Sequence, residues 1–164
     1  MTTELTLKLD DIDLNVLSEM VYEENRLSTF FKNGQGLSGR WPFLEDCNCT
    51  PEKMATAGFF WCGSESQPDL VRCFVCLKDF EGWEPNDIPK DEHKRLSPQC
   101  PYVKLGKEQE NCTVEEVMEL CKKSVINFIE KVFNTQVEQY TNLAKEISNS
   151  LVELLGESNM DVSD

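Results

Sequence analysis

Between positions 10 and 31 the apolar residues recur at helical spacing. Leu14, Leu17, Val21 and Leu27, with Ile12, Val16 and Met20 beside them, follow a period near 3.6 and predict a helix over 10–31. The stretch 33–40, NGQGLSGR, has three glycines among small polar residues and predicts a loop. A short helix follows, with Thr50 as N-cap, Pro51 at its first position and Gly58 as its end. Residues 58–61, 71–76 and 80–83 are rich in aromatic and β-branched side chains and predict three strands. Residues 89–96 predict one more short helix.

The last third changes character. No glycine or proline falls between Gly106 and Gly156. Thr113-Val-Glu-Glu116 forms a capping box that starts a helix, and Gly156 supplies the stop. A helix over 113–155 is roughly 65 Å long. Ile126, Phe133, Tyr140, Ile147 and Leu154 recur every seven residues. A second row, Ile129, Val137, Leu143 or Ala144, and Leu151, lies three or four residues further on. That stripe is a coiled-coil or bundle seam. The alternative is an amphipathic helix packed along its own domain. A small domain cannot cover a rod of this length, so the pattern predicts partner helices. Cys112 and Cys121 are assigned to this helix as packing residues.

Charge narrows the function. The chain has 16 Lys+Arg against 30 Asp+Glu, a formal net charge of −14. Direct nucleic-acid binding needs cations to neutralise phosphates and is disfavoured, while basic partners are attracted. No apolar run is long enough to predict a transmembrane helix, and the acidic start does not predict a secretory leader. The eight cysteines are therefore expected to be metal ligands and buried thiols rather than disulfides.

Cys73-Phe-Val-Cys76 is followed by His93 and Cys100. Three thiolates and an imidazole at this spacing form a Cys₃His set for tetrahedral Zn²⁺. Four protein ligands leave no position for water, so one structural zinc is expected, and the small domain should depend on it to fold. His93 is the only histidine, and committing it to zinc removes the general base of Ser–His and Cys–His nucleophile pairs. There is no Gly-rich phosphate loop, and no carboxylate is singled out by spacing. A non-enzymatic protein is expected. Cys47, Cys49 and Cys62 lack a fourth partner for a second metal and are expected to be buried thiols.

Several motifs together carry a resemblance. They are Arg26-Leu-Ser-Thr-Phe30, Trp41-Pro-Phe-Leu44, Cys49-Thr-Pro-Glu-Lys-Met54, Ala57-Gly-Phe59, Pro68-Asp-Leu70, the zinc set, and Glu81-Gly-Trp-Glu-Pro85. The chain resembles the BIR family of inhibitor-of-apoptosis proteins, over roughly 24–105, and in particular members with one BIR followed by a single long helix. The resemblance implies an α+β fold: a small zinc-binding BIR domain, with short helices around a three-stranded antiparallel sheet, followed by one long C-terminal helix. It divides the chain into an acidic helical extension (1–23), the BIR domain (24–105), a linker (106–112), the long amphipathic helix (113–155) and an acidic tail (156–164).

The resemblance also implies a function. Such members are adaptor subunits of the chromosomal passenger complex. The BIR domain binds the histone H3 N-terminal tail in its phosphothreonine form, and the helix bundles with borealin and the inner centromere protein. That targets an Aurora-type kinase to centromeres in mitosis and cytokinesis. The implied locations are nucleus, cytoplasm, centromere, kinetochore and spindle midzone, and the implied free state is a homodimer. Inhibition of apoptosis is also implied. The alternative is a direct caspase inhibitor, or a capturer of apoptotic antagonists with Ala N-termini.

The histone-tail residues carry over as Lys78, Asp79, Glu81, Trp83 and Asp87. Carboxylates at Glu81 and Asp87 pair with a free amine, Trp83 flanks a small first side chain, Lys78 lies near the phosphate and Asp79 meets the basic tail. The family commonly has a histidine near the phosphate where this chain has Leu96, so the phosphate contact falls to Lys78 with Lys94 or Arg95. The loop 33–40 is longer than the family's. The long helix, with 4 basic and 7 acidic residues, is less basic than the family leads one to expect. Thr50-Pro51 aligns with a proline-directed phosphorylation site, where a helix N-terminus favours the phosphate. Residues 114–120, VEEVMEL, have the spacing of an export-like stretch or of plain helix core.

Overall fold

The computed structural model describes residues 8–9, 12–31 and 41–157. The predicted loop 33–40 and most of the acidic tail lie outside the described residues, as does much of the acidic extension. The single helix expected over 10–31 is instead a strand and two helices, the strand paired with another just before it. Strands β1 (Lys8–Leu9) and β2 (Ile12–Asp13) pair antiparallel, and helices α1 (Leu14–Glu19) and α2 (Glu23–Ser28) follow. Two local interactions cut the predicted helix. The Asp13 carboxylate accepts the N–H groups of Asn15 and Val16, both at 2.9 Å, so helical hydrogen bonding begins only at Leu14. At the second break, the Met20 and Val21 carbonyls both accept from the Arg26 guanidinium at 2.9 Å.

Arg26 is fully buried. Its Nε donates to the Ala55 carbonyl at 3.0 Å and its Nη2 to Gln109 Oε1 at 2.8 Å. The guanidinium carbon lies 4.4 Å from the centroid of the Phe74 ring. Gln109 in turn donates to the Val21 carbonyl at 2.6 Å. One side chain thus ties together the α1–α2 corner, helix α3 (Pro51–Thr56) and the short 3₁₀ turn Gln109–Asn111. Burial pulls the Arg26 pKa down, opposed by nearby Tyr102 and Glu23. The guanidinium remains charged because its normal value is so high.

Helix α3 starts at Pro51 as predicted, although the Thr50 side chain makes no capping hydrogen bond. Gly58 follows at φ +91°, where a Cβ would sit 2.7 Å from the Tyr102 ring. Strands β3 (Phe59–Trp61), β4 (Val71–Cys73) and β5 (Asp79–Phe80) form an antiparallel sheet in that order. Phe59 pairs with Cys73, and Val71 with Phe80. Arg72 and Asp79 face each other across β4–β5 and pair through two hydrogen bonds. Phe59, Phe80, Trp83, Trp41 and Phe30 build the aromatic core, with ring centroids from 4.7 to 6.4 Å apart. Helix α4 (Pro89–Leu96) falls where predicted, and α5 (Pro101–Leu105) was not foreseen.

Helix α6 spans Val114–Glu157. Its capping box forms: the Thr113 N–H donates to Glu116 Oε2 at 2.7 Å, and the Glu116 N–H donates to Thr113 Oγ1 at 3.3 Å. Gly156 does not stop the helix, which runs on to Glu157, because an isolated glycine weakens a helix without breaking its hydrogen bonding. Cys112 lies before the helix rather than in it. The chain divides into two compact units, residues 1–128 and 129–164. The first turns of α6 thus belong to the zinc-ligand unit, where Leu120, Ser124 and Phe128 are buried.

Replacing Arg26 by Ala is expected to cost about 3–5 kcal/mol, because it strips the donor from several buried acceptors at once. Urea unfolding measures this. Lys at the same position should recover little, since an ammonium lacks the planar fork that spans these carbonyls.

Candidate functional site

Two arrangements converge on the sheet. The first is the metal set. Cys73 ends β4, Cys76 closes the tight turn after it, His93 sits on α4 and Cys100 precedes α5. The turn is made possible by Leu77, a non-glycine residue at φ 54°. The ligand atoms of Cys73, Cys76, His93 and Cys100 all lie within 4.8 Å of one another. Tetrahedral Zn²⁺ with ordinary bond lengths requires S···S of about 3.8 Å and S···N of about 3.6 Å. The Cys73 and Cys100 sulfurs are 3.8 Å apart, and Cys76 Sγ is 3.7 Å from His93 Nε2. The donor set and its spacing therefore fit a closed, structural zinc site. His93 Nδ1 faces the Ala57 carbonyl at 2.9 Å, which fixes the ring so that Nε2 points at the thiols.

Charge in this cluster is tuned by burial and by its own members. Burial pushes the Cys73 thiol well up. Hydrogen bonds from Cys100 and Cys73 hold the Cys76 thiol far below its usual value. Burial opposes charge on His93, but hydrogen bonding to Cys100 and Cys76 outweighs it and lifts the imidazole to about 9. A zinc ion takes such ligands as thiolates and neutral imidazole, so its binding is linked to proton release.

The second arrangement is an acidic cleft of about 230 Å³ lined by Phe80, Glu81, Gly82, Trp83, Glu84, Asp87, Glu92, Arg95 and Leu96. It gathers three of the predicted residues, Glu81, Trp83 and Asp87. Asp69 holds its wall: one carboxylate oxygen accepts the N–H of Gly82 at 2.7 Å and of Trp83 at 3.0 Å. Gly82 has φ +77°, a conformation suited to glycine. Asp87 accepts the Glu84 N–H at 2.8 Å, shaping the opposite wall. The Trp83 ring is largely buried against Phe59 and Trp41, at 5.5 and 6.3 Å. Sequence reasoning missed Glu84, Glu92 and the positioning role of Asp69; Asp69 was visible only as part of the Pro68-Asp-Leu70 motif.

Lys78 and Asp79 do not line this cleft. The Lys78 ammonium donates to the Leu96 carbonyl at 2.7 Å, which brings it to the end of α4 beside the cleft. Asp79 is occupied by Arg72 across the sheet. Thr50 stands apart at the start of α3. Of the three thiols expected to be buried, Cys49 is, and it donates to the Glu84 carbonyl at 3.3 Å, whereas Cys47 and Cys62 are only half-buried. Burial and the neighbouring Cys47 push the Cys49 thiol up to about 12. In the stretch 114–120, Val114 and Met118 are exposed while Leu120 is core.

The seam residues of α6 are exposed. Ile126 belongs to the first unit; in the second, Ile129, Phe133, Val137, Tyr140, Leu143, Ile147, Leu151 and Leu154 range from 45% to 71% exposed.

Purified protein is expected to carry one zinc ion, and His93→Ala to lose both the metal and near-UV circular dichroism, because metal binding is part of the folding free energy. Protons compete with zinc for the thiolates and imidazole. Zinc content, followed by atomic absorption, should therefore be full at neutral pH and fall as the solution is acidified.

Comparison with known proteins gives the family. The BIR family, described as the Inhibitor of Apoptosis domain, matches residues 26–104. Baculoviral IAP repeat-containing protein 5 of Rattus norvegicus is 41% identical over 136 residues, covering 83% of this chain and 90% of that protein. Baculoviral IAP repeat-containing protein 5.2-A of Xenopus laevis is 42% identical over 130 residues, covering 79% of this chain and 78% of that protein. A solved structure, the crystal structure of DIAP1 BIR1 bound to a Grim peptide, is 31% identical, covers 51% of this chain and 71% of that chain, and has a TM-score of 0.38. On its sequence relatives and its Cys₃His cluster, this chain belongs to the BIR-containing inhibitor-of-apoptosis family.

Proposed function

We propose that this protein is a non-enzymatic adaptor of the chromosomal passenger complex, with a role in inhibiting apoptosis. Its BIR domain reads the histone H3 N-terminal tail in the phosphothreonine form. Its long helix bundles with borealin and the inner centromere protein, and so brings an Aurora-type kinase to centromeres. Nucleus, cytoplasm, kinetochore and spindle midzone are the corresponding locations. One structural Zn²⁺ supports the fold, the free protein is a homodimer, and Thr50 is a phosphorylation site.

The observation that carries the reading is the acidic cleft around Trp83. Four carboxylates, Glu81, Glu84, Asp87 and Glu92, line one small cavity. That density of negative charge suits an N-terminal ammonium followed by basic residues, which is the chemistry of a histone tail. The exposed apolar seam of α6 supports the scaffold half of the proposal, since a stripe this long is stable in water only when covered. The same cleft serves the alternative, a direct caspase inhibitor or a capturer of antagonists with Ala N-termini, but that alternative leaves the seam without a role.

Calorimetry of the zinc-loaded protein with an H3 N-terminal peptide tests the reader. N-acetylation of the peptide should weaken binding at least about tenfold by removing the ammonium charge. Glu81→Gln, which leaves the aromatic core untouched, should weaken binding while zinc content stays intact. Undiminished binding of the acetylated peptide would exclude the amine pocket. Truncation after Phe128, at the boundary of the first compact unit, should leave a zinc-loaded domain that no longer co-purifies with borealin and inner centromere protein helices.

A further inference from the structure

The cleft contains one basic side chain among its lining residues, and that is Arg95. Its guanidinium is clasped on Glu92, one turn earlier in α4. Nε lies 3.0 and 3.2 Å from the two carboxylate oxygens, and Nη2 donates to one of them as well. Arg95 is 64% exposed at its side chain, whereas Glu92 is only 24% exposed. The pair therefore presents its cation outward and its carboxylate inward. Leu96, next along the chain, offers no side-chain donor. The Lys78 ammonium is held by the Leu96 carbonyl.

A phosphate entering this cleft meets Glu81, Glu84, Asp87 and Glu92, all of one sign. Like charges in a small cavity repel, so the phosphate needs a cation on the cleft wall, and among the lining residues that cation is Arg95, whose exposed guanidinium stands at the mouth. A guanidinium fork that already holds two carboxylate oxygens has the geometry to hold two phosphate oxygens, and the phosphate brings more charge.

Resting on the histone-tail reading above, we propose that Arg95 is the phosphate-reading residue and that Glu92 is its resident counter-ion, exchanged on binding. The phosphate displaces the Glu92 carboxylate from Arg95. The released carboxylate then faces the ligand's positive end. The preferred ligand carries both charges: an N-terminal ammonium and, a short distance along the same peptide, a phosphate. An unphosphorylated tail leaves the Glu92–Arg95 pair closed and gains only the remaining carboxylates.

The two partners then have opposite effects when neutralised, which a merely structural ion pair does not produce. The experiment is calorimetry of full-length, zinc-loaded protein with an H3 N-terminal peptide, unmodified and phosphothreonine-modified. The proteins are wild type, Arg95→Gln and Glu92→Gln, with zinc content measured for each. Arg95→Gln should weaken binding of the phosphopeptide about tenfold. The same variant should tighten binding of the unmodified peptide, because Glu92 is freed for the amine. Glu92→Gln should shift the ratio the other way, toward the phosphopeptide. A ratio of the two affinities in Arg95→Gln equal to the wild-type ratio would overturn the assignment of Arg95 while leaving the histone reader standing. If wild type bound neither peptide, the histone reading would fail, and this proposal with it.

Discussion

The closed Cys₃His cluster is the constraint on which the rest depends. Its four ligands come from the end of a strand, a tight turn, a helix and the entry to the next helix. A domain with so few and such short elements has little else to hold them in register. The two residues between Cys73 and Cys76 extend the influence of the site. The Phe74 carbonyl accepts from Ser124 Oγ, and the Val75 carbonyl accepts from Asn127 Nδ2 at 2.8 Å. The Phe74 ring lies beneath the buried Arg26 guanidinium. The metal loop is thus the common support of the start of the long helix and of the arginine that gathers the N-terminal elements.

The cleft grows out of the same framework. His93 and Glu92 are neighbours on α4, so the helix that supplies a metal ligand also supplies a cleft wall. The other wall is a turn held from behind by Asp69, whose carboxylate takes up the Gly82 and Trp83 N–H groups. Trp83 is packed into the aromatic core, so the cleft rests on a rigid base. Its carboxylates are displayed at modest desolvation cost because they remain near water. A net charge of −14 then favours encounter with basic partners before any specific contact is made.

The long helix divides its work along its length. Up to Phe128 one face of it packs into the unit that carries the Cys₃His cluster, with Leu120, Ser124 and Phe128 buried, while Val114, Met118, Val125 and Ile126 are exposed. Beyond that point the large apolar residues of its seam are exposed in a wide stripe. The same 3.6-residue pattern therefore serves two purposes, and the change between them is set by what lies opposite, not by the pattern itself.

The sequence by itself determined the chemistry that depends on spacing. The Cys73, Cys76, His93 and Cys100 set, the Thr113–Glu116 capping box, helix α4 and the heptad-spaced apolar rows of α6 are local or periodic signals that survive without knowledge of neighbours. Tertiary structure decided whatever required distant residues to meet. Apolar periodicity over 10–31 did not reveal that Arg26, drawn in by Ala55 and Gln109, would claim the Met20 and Val21 carbonyls and break the helix; the Asp13 cap of α1 is a local signal that apolar periodicity passes over. Asp79 read as a free acidic position, yet the β4–β5 register places it opposite Arg72. Glu92 stood out by no spacing, and Glu84 and Asp69 only as members of motifs with no role of their own, because a cleft wall is made by chain segments that fold toward each other. Where the sequence fell short, a side chain had found its partner through the fold, and at the buried Arg26 that pairing overrides helical propensity.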